Sequence, residues 1–106
     1  MKPDKIRGML SLSAKAGSVV SGEYAVCNAV KTGKAKLVLI ASDLSERSAK
    51  SYADLCDYYR VPLFVYATKE TFGAMIGKEF RAACAVCNDK LADRLIALLS
   101  QQTSGE

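Results

Sequence analysis

The segment Lys36–Asp43 constrains the fold more than any other part of the chain. It begins with a cation, continues through the unbroken apolar run Leu37–Ala41 and ends with Ser42 and Asp43. A strand with one face in water alternates polar and apolar residues, so a short continuous apolar run predicts a strand buried on both faces. Gly33 before the run is typical of a helix end, and Ser42-Asp43 is typical of a helix start. The segment therefore predicts a central strand with a helix before it and another after it.

Helical and extended patterns alternate along the rest of the chain. Apolar spacing of three to four residues predicts helices at about 4–15, 21–33, 45–60, 68–77 and 88–100, and β-forming runs predict strands at 19–20, 63–67 and 82–87. Ser21, Ser45, Thr68 and Asn88 stand at N-cap positions. This alternation predicts an α/β fold, a three-layer α/β/α sandwich with a roughly four-stranded mixed sheet. We expect a single domain over residues 1–100 and a polar tail at 101–106.

The same spacing predicts which helix faces are buried. In the second helix, Ala25, Val26, Ala29 and Val30 form the apolar stripe, whereas Tyr24, Asn28, Lys31 and Thr32 point outward. In the third helix the predicted inward residues are Ala49, Tyr52, Ala53, Cys56 and Tyr59.

Positive charge is concentrated in the first third of the chain. Residues 1–36 contain seven Lys or Arg against two acidic residues, a net charge of +5, whereas the remainder has a net charge of −1. An exposed basic cluster attracts phosphates and releases counterions from nucleic acids. Charge alone leaves two alternatives open, a phosphate-binding surface or a basic solvated face.

The four cysteines are expected to act as small core residues. Cys84 and Cys87 have the CxxC spacing, but they lie in a predicted strand, where residues three apart point to opposite faces. The chain has no second CxxC and no histidine to complete a metal site. We therefore expect no metal and no other cofactor.

The sequence contains few of the residue types and motifs that catalysis usually needs. Without histidine the commonest general base is missing, and the carboxylates are scattered over predicted outward faces. No Gly-x-Gly-x-x-Gly motif follows a predicted strand. We therefore predict that the protein is not an enzyme.

Phe80 is the residue least explained by packing. It lies in a short predicted loop between Lys78 and Arg81. An aromatic ring flanked by cations suits an unpaired base, because the ring stacks on the base while the cations neutralise phosphates. The alternative is that Phe80 packs into the core beneath the loop.

Several of these segments, in order, resemble the kink-turn-binding ribosomal-protein superfamily. The resemblance covers about residues 8–100 and rests on Gly22, the run Gly33–Ala41, Leu55-Cys56, Val61-Pro62, Phe72-Gly73 and Gly77–Arg81. The superfamily includes large-subunit ribosomal proteins of the "seven-Ae" and "thirty-e" types, and the chain is most similar to its short bacterial YlxQ-like branch. The resemblance implies an α/β/α sandwich that binds kinked RNA.

The resemblance also implies two RNA-binding regions. The first is the start of the second helix, where the superfamily has Gly-x-Asn-Glu-x-x-Lys; Gly22 matches, whereas Tyr24, Ala25 and Asn28 replace the Asn, Glu and Lys. The second is the loop before the last strand, where Phe80 takes the place of the residue that packs on an extruded base. The expected RNA-binding residues are Gly22, Glu23, Tyr24, Asn28, Thr32, Lys34, Lys36, Lys78, Phe80 and Arg81.

The leading hypothesis is a non-enzymatic RNA-binding protein, ribosomal or ribosome-associated and cytoplasmic, whose partner is a structured RNA. No DNA specificity and no membrane association are expected, and homo-oligomerisation is left open. The alternative is a protein–protein interaction module on the same fold with little kink-turn specificity. A small enzyme or nucleotide binder is the third hypothesis.

Overall fold

Helices and strands alternate along the chain as the sequence predicts. The computed structural model describes residues 5–71 and 82–104. In chain order, the elements are α1 (Lys5–Lys15), β1 (Val19–Ser21), α2 (Glu23–Lys31), β2 (Leu37–Ile40), α3 (Glu46–Tyr59), β3 (Leu63–Val65), β4 (Ala83–Val86) and α4 (Asp89–Ser104).

Two predicted boundaries fall near the limits of the described residues. Residues 69–71 are helical, and the Thr71 amide donates to the Thr68 hydroxyl at 3.3 Å, as expected of an N-cap. The rest of the helix predicted at 68–77 lies outside the described residues. Helix α4 extends to Ser104, so its backbone includes the first residues of the predicted tail. The division of the chain at residue 100 stays a prediction.

The four strands form one mixed sheet in the order β1-β4-β2-β3. Strand β4 is antiparallel to both β1 and β2, whereas β2 and β3 are parallel. Leu39 pairs with Cys84 on one side and with Phe64 on the other. All four residues of β2 are buried, which confirms the predicted central strand.

Helices cover both faces of this sheet. Leu37 and Leu39 of β2 pack in a cluster with residues of α1 and α4, such as Leu10 and Leu95. Val38 and Ile40 face the other way and pack with residues of α2 and α3. Alternate side chains of the fully buried strand β2 thus pack into two apolar clusters, one on each face of the sheet. This arrangement is the three-layer α/β/α sandwich that the sequence predicts.

The strand register defines two ends of the sheet. At one end, called the Ala83 end, Ile40 pairs with Ala83 and Val65, and Ser21 pairs with Cys84. At the opposite Val86 end, Leu37 and Val19 pair with Val86. Because α2 follows β1 and α3 follows β2, both helices start at the Ala83 end. Both finish at the Val86 end, where β2 and β3 begin.

Cap residues explain where α3 and α4 begin. The Ser45 hydroxyl accepts a hydrogen bond from the Ser48 amide at 3.2 Å, and the Asn88 side-chain oxygen accepts one from the Leu91 amide at 3.0 Å. Both residues were predicted as N-caps. At its other end, α3 terminates at Arg60, which has a left-handed backbone conformation with φ 59°.

Strand β3 is shorter than the predicted 63–67 run. The Tyr66 amide still donates to the Ile40 carbonyl at 2.9 Å, but Ala67 has φ 65°. A left-handed residue cannot continue an extended strand, so the ladder ends there.

The four cysteines are free thiols. Cys84 is buried in the cluster on the α1–α4 side, whereas Cys87 is half-buried against the α2–α3 side. The two residues of the CxxC spacing therefore lie on opposite faces, as predicted. Among residues 5–71 and 82–104, no group of three His, Cys, Asp or Glu side chains is arranged to hold a metal ion. No helix in this part of the chain is both long and apolar enough to cross a membrane.

Candidate nucleic-acid interface

The start of α2 lies directly beside the start of β4. The Gly22 amide donates a hydrogen bond to the Ala83 carbonyl oxygen at 3.2 Å. Gly22 has φ 91° and ψ 151°, a conformation that is almost restricted to glycine. Among residues 5–71 and 82–104, no atom beyond the adjoining residues lies within 4 Å of the position a Cβ would occupy. The backbone here is therefore open to close approach by a ligand.

Gly22, and not Ser21, is the N-cap of α2. Ser21 is the last residue of β1 and pairs with Cys84, so the predicted N-cap at Ser21 is wrong by one residue. Gly22 has no side chain, and the first turn of α2 receives no side-chain cap. Amide groups at an uncapped helix start, aligned with the positive end of the helix dipole, are suited to bind anions.

The exposed face of α2 is the one the sequence predicts. Tyr24, Asn28, Lys31 and Thr32 are all exposed, and Tyr24 is 86 % exposed. Ala25, which replaces the superfamily glutamate, is half-buried. Since Tyr24, Asn28 and Lys31 are spaced by four and three residues, they form one continuous strip along the helix.

A groove of about 590 Å³ runs between α2 and α3 beside this strip. Tyr24, Lys31 and Arg47 line its rims, and Cys27 and Tyr52 lie among its lining residues. Burial, followed by the neighbouring Glu23 carboxylate, raises the pKa of Cys27, while Lys31 partly offsets this effect. Burial is also the main reason that the pKa of Tyr52 rises to about 12. The thiol and the phenol therefore stay neutral at physiological pH, and the charge of the groove comes from its rims.

The predicted basic residues Lys34 and Lys36 lie at the other end of α2. The Lys36 amide donates to the Val86 carbonyl at 2.8 Å, which fixes this segment at the Val86 end. The Lys36 ammonium donates to the Gly33 carbonyl at 3.2 Å and lies 4.0 Å from the Asp89 carboxylate. Both lysines are exposed.

Thr32 has a structural role at the end of α2. Its hydroxyl donates to the Asn28 carbonyl at 2.8 Å, and its own amide donates to the same oxygen at 3.0 Å. The amide bond is the ordinary helical one, and the hydroxyl adds a second donor to the same carbonyl at the end of α2. Thr32 is exposed, so its methyl group and hydroxyl oxygen remain at the surface.

The expected RNA-binding residues thus form two groups. Gly22, Glu23 and Tyr24 lie at the Ala83 end, and Thr32, Lys34 and Lys36 lie at the Val86 end. The nine residues of α2 span about 13 Å between the two ends, at 1.5 Å per residue. Asn28 lies between them. Lys78, Phe80 and Arg81 lie outside the described residues.

Sequence reasoning missed three residues that line the grooves. Arg47 lines the groove between α2 and α3, and Tyr59 and Arg60 line a second groove at the Val86 end. Tyr59 was predicted to point inward but is 40 % exposed, and Ala53 is also exposed. Leu55, which was not among the predicted inward residues, packs against the core. The available signal for Tyr59 and Arg60 was Val61-Pro62, because helices usually end at or before the residue that precedes a proline.

Comparison with known proteins assigns this α/β/α sandwich to a family. The model of the ribosomal protein L7Ae/L30e/S12e/Gadd45 family matches residues 4–96. The chain is 41 % identical over 91 residues to the RNA-binding protein YlxQ of Bacillus subtilis (strain 168), covering 86 % of this chain and 91 % of that protein. The chain therefore belongs to the L7Ae/L30e/S12e/Gadd45 family, and the resemblance inferred from the sequence is confirmed.

Solved structures share this fold. A protein of unknown function from Bacillus halodurans superposes with a TM-score of 0.88 at 31 % identity, covering 92 % of this chain and 99 % of the other. The Giardia lamblia 15.5kD RNA binding protein superposes with a TM-score of 0.77 at 17 % identity, covering 95 % and 90 %. At that identity the second likeness bears on the fold alone.

Proposed function

We propose that this protein binds RNA and that it recognises a kinked or internally looped RNA through the Ala83 end of the sheet. The observation that supports this most directly is the hydrogen bond between Gly22 and Ala83, since Arg81 and Phe80 directly precede Ala82 in sequence. In this proposal the two regions that the superfamily uses for RNA act together at this end of the sheet. The YlxQ relative is named an RNA-binding protein, which supports the same ligand class.

Two helix starts strengthen the case for the Ala83 end. Both α2 and α3 begin there, and each contributes the positive end of its dipole. Phosphate contacts at helix N-termini position a nucleic acid without reading its sequence. In this proposal Phe80 stacks on an extruded base, Lys78 and Arg81 neutralise phosphates, and Asn28 hydrogen-bonds a base edge.

We further propose a ribosomal or ribosome-associated role in the cytoplasm. Family membership supports the association, and the basic first third of the chain supports electrostatic attraction to a large RNA. No catalytic step is part of this proposal.

A protein–protein interaction module is the second candidate. The observation that favours it is Tyr24, a large side chain that is 86 % exposed at the position where the superfamily motif has a polar asparagine. The two candidates differ in their dependence on salt. RNA affinity falls steeply with ionic strength, whereas an apolar protein interface does not.

Substitution of Phe80 tests the proposed RNA contact. Phe80→Ala is expected to weaken binding to a short kink-turn RNA by ~1–3 kcal/mol, the range for loss of one aromatic–base stack. Leu12→Ala is the matched control, because Leu12 is a large apolar side chain, 59 % exposed on α1. Equal affinity of the Phe80 variant and the wild type would rule out the stacking role.

A further inference from the structure

A second groove lies at the Val86 end of the molecule, away from the proposed kink-binding region. It has a volume of about 500 Å³ and lies between the end of α2, the segment that leads into β2 and the end of α3. Lys31, Lys36 and Arg60 line it together with Tyr59 and Pro62. We call it the Arg60 groove.

The charge of the Arg60 groove is one-sided. Its described lining residues include three cations and no carboxylate side chain. The Lys36 ammonium lies 4.0 Å from the Asp89 carboxylate, and the two side chains are 41 % and 78 % exposed. A pair this long and exposed contributes little and is readily exchanged for another anion. Lys34, also exposed, follows Gly33 of the lining and adds a fourth cation to this end.

Some of this charge has an ordinary structural role. Lys31 lies in the last turn of α2, where a cation favours the negative end of the helix dipole. The Lys36 ammonium binds the Gly33 carbonyl, which also belongs to the end of that helix. Arg60 is different, because its backbone amide and that of Val61 already terminate α3 by bonding to the Asp57 and Cys56 carbonyls.

The backbone at Arg60 indicates that its side chain serves something besides the helix end. Its φ of 59° places it in the left-handed region, where glycine or asparagine is the usual residue at the end of a helix. A strained arginine at such a site costs stability, and strain of this kind is concentrated at functional sites. Arg60 lines the groove together with Tyr59.

Tyr59 supplies an aromatic surface beside these cations. It is 40 % exposed, and its ring packs edge-to-face against Tyr58 with centroids 4.9 Å apart. Such a pair restricts the orientation of the rings. An aromatic ring next to cations is the arrangement that binds unpaired nucleotides, with the base on the ring and phosphates on the cations.

We infer that the Arg60 groove binds a single-stranded segment of RNA, with a base stacked on Tyr59 and phosphates at Arg60, Lys31 and Lys36. This inference rests on the proposed function because its ligand is RNA, but it concerns a different surface and an unpaired strand. An RNA that is kinked at the Ala83 end and single-stranded beyond the kink could reach both surfaces along the exposed strip of α2.

The probe for this inference is a fluorescein-labelled oligouridine of about eight nucleotides, within the 4–16 nucleotides that single-strand sites typically cover. Tyr59→Ala is expected to weaken its binding by about fivefold or more, whereas Tyr59→Phe keeps the ring and the affinity. Arg60→Gly is expected to weaken binding and to reduce the slope of log affinity against log salt by about 0.7. Lys50→Ala is the matched control, since Lys50 is an exposed cation on α3 paired with Asp54.

Thermal unfolding separates a binding role from a structural one. Arg60→Gly removes the guanidinium and relieves the left-handed strain, so its Tm should equal or exceed that of the wild type while oligouridine affinity falls. The inference is overturned if wild-type protein does not bind oligouridine at millimolar concentrations. Unchanged oligouridine affinity in both Tyr59→Ala and Arg60→Gly also overturns it. A lower Tm of Arg60→Gly together with its lower affinity overturns it as well, because the loss of affinity would then follow from a damaged fold.

The same variants distinguish this inference from the proposed function. A blunt-ended kink-turn RNA should bind Tyr59→Ala and Arg60→Gly as it binds the wild type, and oligouridine should bind Phe80→Ala as it binds the wild type. If the wild-type protein binds oligouridine but not the kink-turn RNA, the proposed function is overturned. The Arg60 groove is then judged by the oligouridine affinities of its variants.

Discussion

The Gly22 amide nitrogen lies 3.2 Å from the Ala83 carbonyl oxygen, and this hydrogen bond joins the start of α2 to the start of β4. It continues the antiparallel pairing of β1 with β4 by one residue beyond Ser21 and Cys84. The chain then turns into α2 with a conformation that glycine adopts readily. The proposed RNA-binding region depends on this junction.

Substitution of Gly22 by alanine should destabilise the fold. With φ 91° and ψ 151°, a residue with a Cβ is strained by roughly 1–3 kcal/mol, although the added methyl group would clash with no atom of the described part of the chain. The free energy of unfolding in urea measures this loss. Gly8→Ala is the control, because Gly8 lies in the exposed part of α1 and its replacement should stabilise the helix by about 0.5–1 kcal/mol. Equal effects at the two positions would contradict the special conformation of Gly22.

Shortening a side chain of the central strand should lower the free energy of unfolding far more than shortening one at the edge of the sheet. Leu39 is fully buried between β4 and β3, so Leu39→Ala should lower the free energy of unfolding by about 2–5 kcal/mol. Val65 is 59 % exposed on edge strand β3, and Val65→Ala should change it by about 0.5 kcal/mol or less. Urea denaturation of both variants compares the two sites. A small effect at Leu39 would contradict the assignment of β2 as the core strand.

The start of α3 should depend on the Ser45 hydroxyl. Ser45→Ala removes the hydrogen bond that the Ser48 amide donates at 3.2 Å and should cost about 1 kcal/mol of stability. Ser45→Asp supplies another capping oxygen and should retain most of the stability. Ser51→Ala, at an exposed position inside the same helix, provides a control in urea denaturation. If Ser45→Ala and Ser51→Ala unfold alike, the cap does not contribute.

Stability should decline at alkaline pH because buried thiols resist ionisation. Burial raises the pKa of Cys56 from 9.0 to about 11 and that of Cys84 from 9.0 to about 12. Above pH 9 the unfolded chain releases these protons while the folded chain keeps them, so the free energy of unfolding falls as pH rises from 9 toward 11. The slope approaches ~1.4 kcal/mol per pH unit for each such group.

The variant Cys56→Ala tests this origin of the alkaline decline. Loss of the thiol should lower stability at every pH but make the fall between pH 9 and 11 shallower than in the wild type. Urea denaturation at pH 7, 9 and 10 measures both effects. An identical slope in the variant and the wild type would mean that Cys56 does not ionise on unfolding in this range.

The central strand and two of the helix starts could be predicted from the sequence because each depends on a short local pattern of residues. The continuous apolar run at Leu37–Ala41 gave the buried strand, and Ser45 and Asn88 gave helix starts through hydrogen bonds that span only three residues. The opposite orientations of Cys84 and Cys87 followed from strand geometry alone. Each of these features depends on neighbouring residues and not on the packing of distant segments.

The features that were missed depend on tertiary geometry. Pairing of Ser21 with Cys84 extended β1 by one residue and moved the N-cap of α2 to Gly22. Lys34 and Lys36 were expected to contact RNA together with Gly22, which stays a prediction, and α2 carries the chain from Gly22 to the opposite end of the sheet before these lysines. Tyr59 follows the apolar period of α3, yet the helix ends just where its inner face leaves the core.

The most direct test of the central claim is a titration of the purified protein with a short kink-turn RNA and with a plain duplex of equal length at ~150 mM salt. Kinked RNA should bind at least about tenfold more tightly than the duplex, a difference of ~1.4 kcal/mol. Such a result would show that a helix start with Tyr24, Ala25 and Asn28 can replace the usual superfamily motif. Weak and equal binding to both RNAs would contradict kink recognition and leave only general attraction of a basic surface for phosphates.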